Sequence, residues 1–227
     1  MASKQNHRLA FGNDPKFLER LAKQGLSIGG DQSATQPKGK SVAGLEEPAP
    51  EKKVSSTGRR LAKVKEANKE SRNDRLIYDA ATNTLAAVFP GAMLLGLNMM
   101  LRMHDAEATG LKKTWTKRIE ALMYEGKQAY DEWRVAAVFP VIIDEVYLTG
   151  ESGLLDNESV CASCKPIIDA FVTNGFLPDD SPTYVAHPIP YTERAKTPAV
   201  IIRFRSAARP WGLIDDVTIQ LAREVTP

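Results

Sequence analysis

KPIIDAFVTNGFLPDD, from Lys165 to Asp180, follows an acidic run, LDNES, at Leu155 to Ser159, and the reading of the chain depends on this acid, helix, acid unit. Pro166 suits the first turn of a helix, where its missing N–H costs no bond, and Gly175 suits the left-handed position that closes one. The spacing predicts a helix of roughly nine residues between them, with Ile167, Ile168, Phe171 and Val172 facing a core and Lys165 and Asp169 on another side. Asp179 and Asp180 then fall in a proline-containing turn, and TYVAHPIP, residues 183–190, reads as a short edge strand. A chain that doubles back there carries Asp180 toward Asp156 and Glu158 across the start of the helix. Three carboxylates brought to one point repel unless a cation neutralises them, and hard oxygen ligands suit Mg²⁺ or Mn²⁺.

The unit resembles one found in the RusA-like Holliday junction resolvases, a family common in phages and prophages. Its members combine an acidic D-x-D-N element, a lysine, a helix reading roughly K-x-x-x-D-A-L, a G-F or G-L step and a closing D-D. Lys165, Asp169, Ala170, Phe171, Gly175, Phe176, Asp179 and Asp180 stand at that spacing without a gap. Upstream, LGLNMMLRMHDAEATGLKKTWTKR is similar to the family's early segment, with Asn98, Arg102, His104, Lys113, Trp115 and Arg118 at the matching places. The two matches run from residue 85 to residue 205. The acidic element departs from the family pattern, which sets its first acids nearer the lysine. Asp156 reads as the first acid, Glu158 as the second and Ser159 as the replacement for the asparagine, both carboxylates lying on one side of an extended segment. An ungapped register instead puts Ser159 and Cys161 at the acid positions.

The resemblance implies an α+β fold, a small mixed β-sheet packed with helices, and a homodimer whose two sites nick opposed strands of a four-way DNA junction. It implies metal-assisted phosphodiester hydrolysis, with Asp156, Glu158 and Asp180 holding Mg²⁺ (or Mn²⁺) and Asp179 as the alternative to Asp180. Lys165 would stand beside the scissile phosphate and offset charge in the transition state. Asn98, Arg102, His104 and the basic face of Lys112, Lys113, Lys117 and Arg118 would hold the phosphate backbone. The shifted acidic register also admits a RusA-like DNA-binding module without nuclease activity.

The 227 residues, 43% of them hydrophobic, support one sizeable core and a tail. Residues 1–75 carry 16 Lys/Arg against 9 Asp/Glu, a net of +7, which leaves −5 on the remainder. A basic arm suits nucleic acid, because Lys and Arg displace counterions from phosphate; a tail that keeps the chain soluble is the plainer reading. Residues 1–51, rich in Ser, Gly, Gln, Lys and Pro, are expected to be largely disordered, except for a short amphipathic helix carrying Phe17, Leu18, Leu21 and Leu26. Residues 52–80 read as a solvated basic helix or linker, so the arm is taken as 1–80 and the nuclease domain as 81–227. The opening residues carry no signal-peptide pattern.

TLAAVFPGAMLLGLNMMLRM is interrupted by Pro90, Asn98 and Arg102, which argues against a membrane span and for a strand ending at Pro90 followed by a buried loop. Leu111, Trp115, Ile119 and Leu122 mark the core face of a helix, with Lys112, Lys113, Lys117 and Arg118 facing away. A strand is expected over Val141–Leu148, with Asp144 and Glu145 exposed on it or one of them serving as a further acid behind the site, and another over 199–205, paired with the strand after Asp180. The alternation of Val217, Ile219 and Leu221 predicts a final strand. Cys161 and Cys164 have the spacing of a zinc or redox pair, but His7, His104 and His187 are scattered and no βαβ redox context precedes them. They read as small buried residues, and the absence of other cysteines fits a reducing cytoplasm.

Overall fold

The computed structural model describes residues 55–150 and 153–225. The expected disordered arm and the helix near Phe17 lie outside the described residues. The described chain is an α+β fold around one mixed sheet of five strands in the order β1-β2-β5-β3-β4. The strands are β1 (Arg75–Asp79), β2 (Thr84–Pro90), β3 (Val141–Thr149), β4 (Val185–Glu193) and β5 (Pro198–Ser206). Alternation along them turns Leu85, Ala87, Phe89, Ile143, Tyr147, Val200, Ile202 and Phe204 into one core, while Ala86, Val88, Asp144, Arg203 and Arg205 on the opposite face are only half-buried.

Helices supply the other half of that core. In α3 (Asp105–Glu125), Leu111, Trp115, Ile119 and Leu122 are buried at helical spacing, as expected. Trp115 meets Phe89 edge to face at 5.4 Å, and Phe171 of α5 (Asn157–Thr173) meets Phe204 at 5.1 Å and Phe176 at 4.9 Å. Such aromatic pairs add about 0.5–1.5 kcal/mol each beyond area burial. Helix α4 (Lys127–Ala136) follows α3 directly and buries Tyr130 and Trp133, and the loop after β2 buries Ala92, Met93, Leu94 and Leu95 before the short α2 (Leu97–Met100). Among the described residues no helix is long and apolar enough to cross a membrane.

The fold starts earlier than residue 81. Helix α1 (Ser56–Ala67) is capped by the Ser55 hydroxyl, which accepts from the Gly58 N–H at 3.1 Å, and its Val64 is buried. Asn68 at its end clamps Met93, donating to the Met93 carbonyl at 3.0 Å and accepting from its N–H at 2.9 Å. Strand β1 then pairs antiparallel with β2. Arg59 and Lys63 of α1 are exposed, and the charge of this stretch hid the few inward side chains that anchor it.

The expected pairing of the last two strands is also corrected. Strand β4 is an edge, as expected, and its Pro188 and Pro190 are tolerated there, but it pairs only with β3, in parallel through the α5 crossover. Strand β5 lies between β2 and β3, antiparallel to both. The short link from Glu193 to Pro198 passes the end of β3 at Gly150, where φ is +60° and an added Cβ would lie 3.1 Å from Pro198. The last segment is the helix α6 (Asp216–Val225), not a strand. Val217, Leu221 and Val225 recur at the helical interval, and the Val217 N–H donates to the Asp215 carboxylate at 2.7 Å across its start.

Candidate active site on helix α5

Helix α5 begins at Asn157, not at Pro166. Asp156 is its N-cap, and its carboxylate accepts from the Ser159 N–H at 2.6 Å, a bond that holds its pKa below the ordinary aspartate value. The acids of LDNES therefore belong to a cap and a first turn rather than to an extended loop. Ser159 and Ser163 are buried and allow the loop before α2 to lie close: the Leu97 N–H donates to the Ser159 hydroxyl at 3.1 Å, and the Ser163 hydroxyl donates to the Leu95 carbonyl. Pro166 lies inside the helix and has no N–H to offer the Ala162 carbonyl. Gly175 ends the unit at φ +76°, as its spacing predicts.

Midway along α5, a second group of charges assembles. Lys165 donates to Asp169 at 2.6 Å and to Asp180 across the turn, and Lys112 of α3 donates to the other Asp169 oxygen at 2.9 Å. Partial burial pulls the Lys165 ammonium down, but its bonds to Asp169 and Asp180 outweigh this and hold it above the ordinary lysine value. Burial pushes Asp169 up and is in turn outweighed by Lys165 and Lys112, so that carboxylate stays low. Asp179 turns instead to its own loop: the Ser181 hydroxyl lowers its pKa first, and the Asp180 N–H donates to it at 2.8 Å. Of the two closing aspartates, Asp180 is the one that meets Lys165.

Behind Lys165 lies a cavity of about 270 Å³ whose lining includes Ile143, Glu145, Cys161, Ile168 and Asp180. Glu145 is 1% exposed, which corrects the exposed position expected for it. Burial pushes its carboxyl up to about 8, and the Cys161 thiol offsets only part of this. Its parity was the available signal, since Glu145 shares a strand face with Ile143 and Tyr147. Cys164 is buried and Cys161 half-buried, both as free thiols.

The expected DNA-contact residues divide. Asn98, Arg102, His104, Lys112, Lys113 and Lys117 are exposed. Arg118 is not: it is 3% exposed and donates twice to Asp74 at 2.6 Å beneath α1. Contrary to the expectation, its guanidinium is therefore not placed to meet a phosphate backbone.

Asp156 and Glu158 sit at the start of α5, whereas Asp180 meets Lys165, which lies nine residues past the cap, about 13 Å along a helix rising 1.5 Å per residue. Among the described residues no three His, Cys, Asp or Glu side chains gather where a metal ion could be held. Asp156 is committed to its cap and Asp180 to a lysine, so the ligand set implied for Mg²⁺ or Mn²⁺ does not fit as expected. Comparison with protein-family models and with curated proteins finds no match to this chain.

Proposed function

We propose that this chain acts on branched DNA as a RusA-like endonuclease. The observation that supports the reading is the closure of Lys165 on Asp180 across 15 residues, at the spacing on which the resemblance rests. Lys165 keeps its charge and is more than half exposed, so its ammonium is available to a phosphate oxygen that displaces one of its carboxylate partners. Lys112, Lys113 and Lys117 continue the positive track along α3. The chain would work as a homodimer, because symmetric nicking of a junction needs two sites. Activation of the attacking water is the step for which the resemblance supplies a metal ion.

A second reading, a junction-binding module that does not cut, is favoured by the distance between Asp156 and the Lys165–Asp180 pair. Incubation of a synthetic four-way junction with the full chain and Mg²⁺, Mn²⁺ or EDTA separates the two. Paired, metal-dependent nicks that disappear in Asp180→Asn support the endonuclease. Tight binding without nicks, in the presence of either metal, supports the module.

A further inference from the structure

The cleft where α1 ends against α3 has spent its acceptors and kept its donors. It encloses about 360 Å³ and is lined by Asn68, Lys69, Ser71, Thr114, Lys117 and Arg118, with no carboxylate among them. Arg118, buried and paired with Asp74, closes its floor. The Asn68 side chain bonds Met93 twice, its carbonyl accepts from Arg118 at 3.4 Å, and the Ser71 carbonyl accepts from the Asp74 N–H at 3.0 Å. Lys117 and the Ser71 hydroxyl, by contrast, meet no partner among the described residues. Lys69 gives a single bond, to Glu66 at 2.8 Å in an exposed pair, although an ammonium has three N–H groups to give. A cleft of this kind takes a ligand made of acceptors.

The carboxylates of residues 66–74 are each engaged: Glu66 with Lys69, Glu70 with the Arg72 N–H at 3.0 Å, and Asp74 with Arg118. Cations continue along both walls. Lys113 stands four residues before Lys117 on α3, and Lys65, in the last turn of α1, four residues before Lys69. Two rows of ammonium groups match a chain of phosphates better than a single small anion.

We propose that this cleft seats one phosphate of a DNA backbone, held by Lys69 and Lys117 from its two walls and by the Ser71 hydroxyl, and that α1 thereby joins α3 in the DNA-contacting surface. The inference rests on the DNA-acting reading and adds to it a contact outside the resembling stretch, since Lys69 and Ser71 precede residue 85. A phosphate oxygen displaces Glu66 from Lys69 readily, because an exposed pair of this kind is worth little in water. Contacts of this class position DNA without reading its sequence, so the seat serves a junction and a linear duplex alike.

The test is binding of the full chain to a four-way junction and to linear duplex of the same sequence, in EDTA over a range of salt. The double variant Lys69→Ala/Lys117→Ala is expected to lower the logarithmic salt slope by about one on both DNAs, the count for a single lost phosphate. Ser71→Asp, which puts a carboxylate into the seat, weakens both at least about tenfold. Asn73→Asp, the same charge on an exposed residue outside the lining, changes them by no more than about twofold, because salt screens it. Aspartate suits the first position of the turn that Ser71 opens, so Ser71→Asp is expected to fold, which its melting temperature checks. Wild-type affinity and slope in the seat variants, or equal losses in Ser71→Asp and Asn73→Asp, reject the seat and leave the DNA reading standing. A slope lowered by about two puts Lys69 and Lys117 on different phosphates and also rejects it. A wild-type chain that binds neither DNA rejects the DNA reading and the backbone seat together. Titration with inorganic phosphate, followed at the Ser71 amide by nuclear magnetic resonance, then shows whether the cleft takes a free anion instead.

Discussion

Arg118 ties the amino-terminal part of the described fold to its core. Its guanidinium donates to both Asp74 oxygens at 2.6 Å and lies over the rings of Phe89 and Trp115 at 5.3 and 5.4 Å, with both side chains of the ion pair 2% exposed. Removing one partner of such a pair strands a buried charge, so Arg118→Met is expected to cost about 3–5 kcal/mol in urea denaturation while leaving the DNA affinity of the folded protein unchanged. A loss of affinity with no loss of stability would return Arg118 to the DNA-contacting face. Burial pushes the Glu145 carboxyl up to about 8 in the folded state, above its ordinary value of 4.5, so between these values the folded state binds more protons than the unfolded state. Stability from this group is then complete below pH 4.5 and declines as the pH rises toward 8, by on the order of a few kcal/mol. Glu145→Gln should flatten that decline in denaturation curves taken between pH 5 and pH 9, and an identical slope in the two proteins would refute the assignment.

Helix α5 is the element on which the two ends of the candidate site are mounted, and they do different work. The amino end is structural: Asp156→Ala is expected to cost about 1 kcal/mol through the lost cap, whereas Asp156→Asn, an equally good cap, should leave the melting temperature nearly unchanged. A comparable loss in both variants would mean that the negative charge, not the cap, is what the fold requires. Asp180 was expected beside Asp156 and Glu158 and meets Lys165 instead, but much of this element was legible in the sequence, because Ile167, Phe171 and Gly175 obey the helical period and stop signal and Lys165 and Asp169 stand one turn apart. Its beginning was not. Pro166 imitates a first turn, and in the preceding turns the inward stripe of Val160 and Cys164 is diluted by Ser159 and Ser163, polar residues buried beside it against a loop. The same limit applies at both ends of the fold. A few inward side chains, Val64, Asn68 and Asp74, hold a segment whose average composition is that of a linker, and in α6 the residues Val217 and Leu221 satisfy the strand and helix periods alike. The position of β5 depended on where a short link crosses, which local sequence does not encode.

For the molecule as a whole, a DNA backbone would meet the cations left exposed along one helix. Lys113 and Lys117 are exposed one helical turn apart on α3, and Lys112, beside them, reaches across to α5. If they follow a phosphate backbone, replacing Lys113 and Lys117 together by Ala should weaken junction binding and lower its logarithmic salt slope by about 1–2, with stability changed by no more than about 0.5 kcal/mol. An unchanged slope would place the DNA elsewhere on the surface. The endonuclease and the non-cutting module share one requirement that does not involve metal: the chain must distinguish a branched DNA from a straight one. Competition between a four-way junction and linear duplex of the same sequence, in EDTA and moderate salt, tests this most directly. A junction preference of at least about tenfold is the predicted result; equal affinity for the two DNAs, or binding to neither, would contradict it.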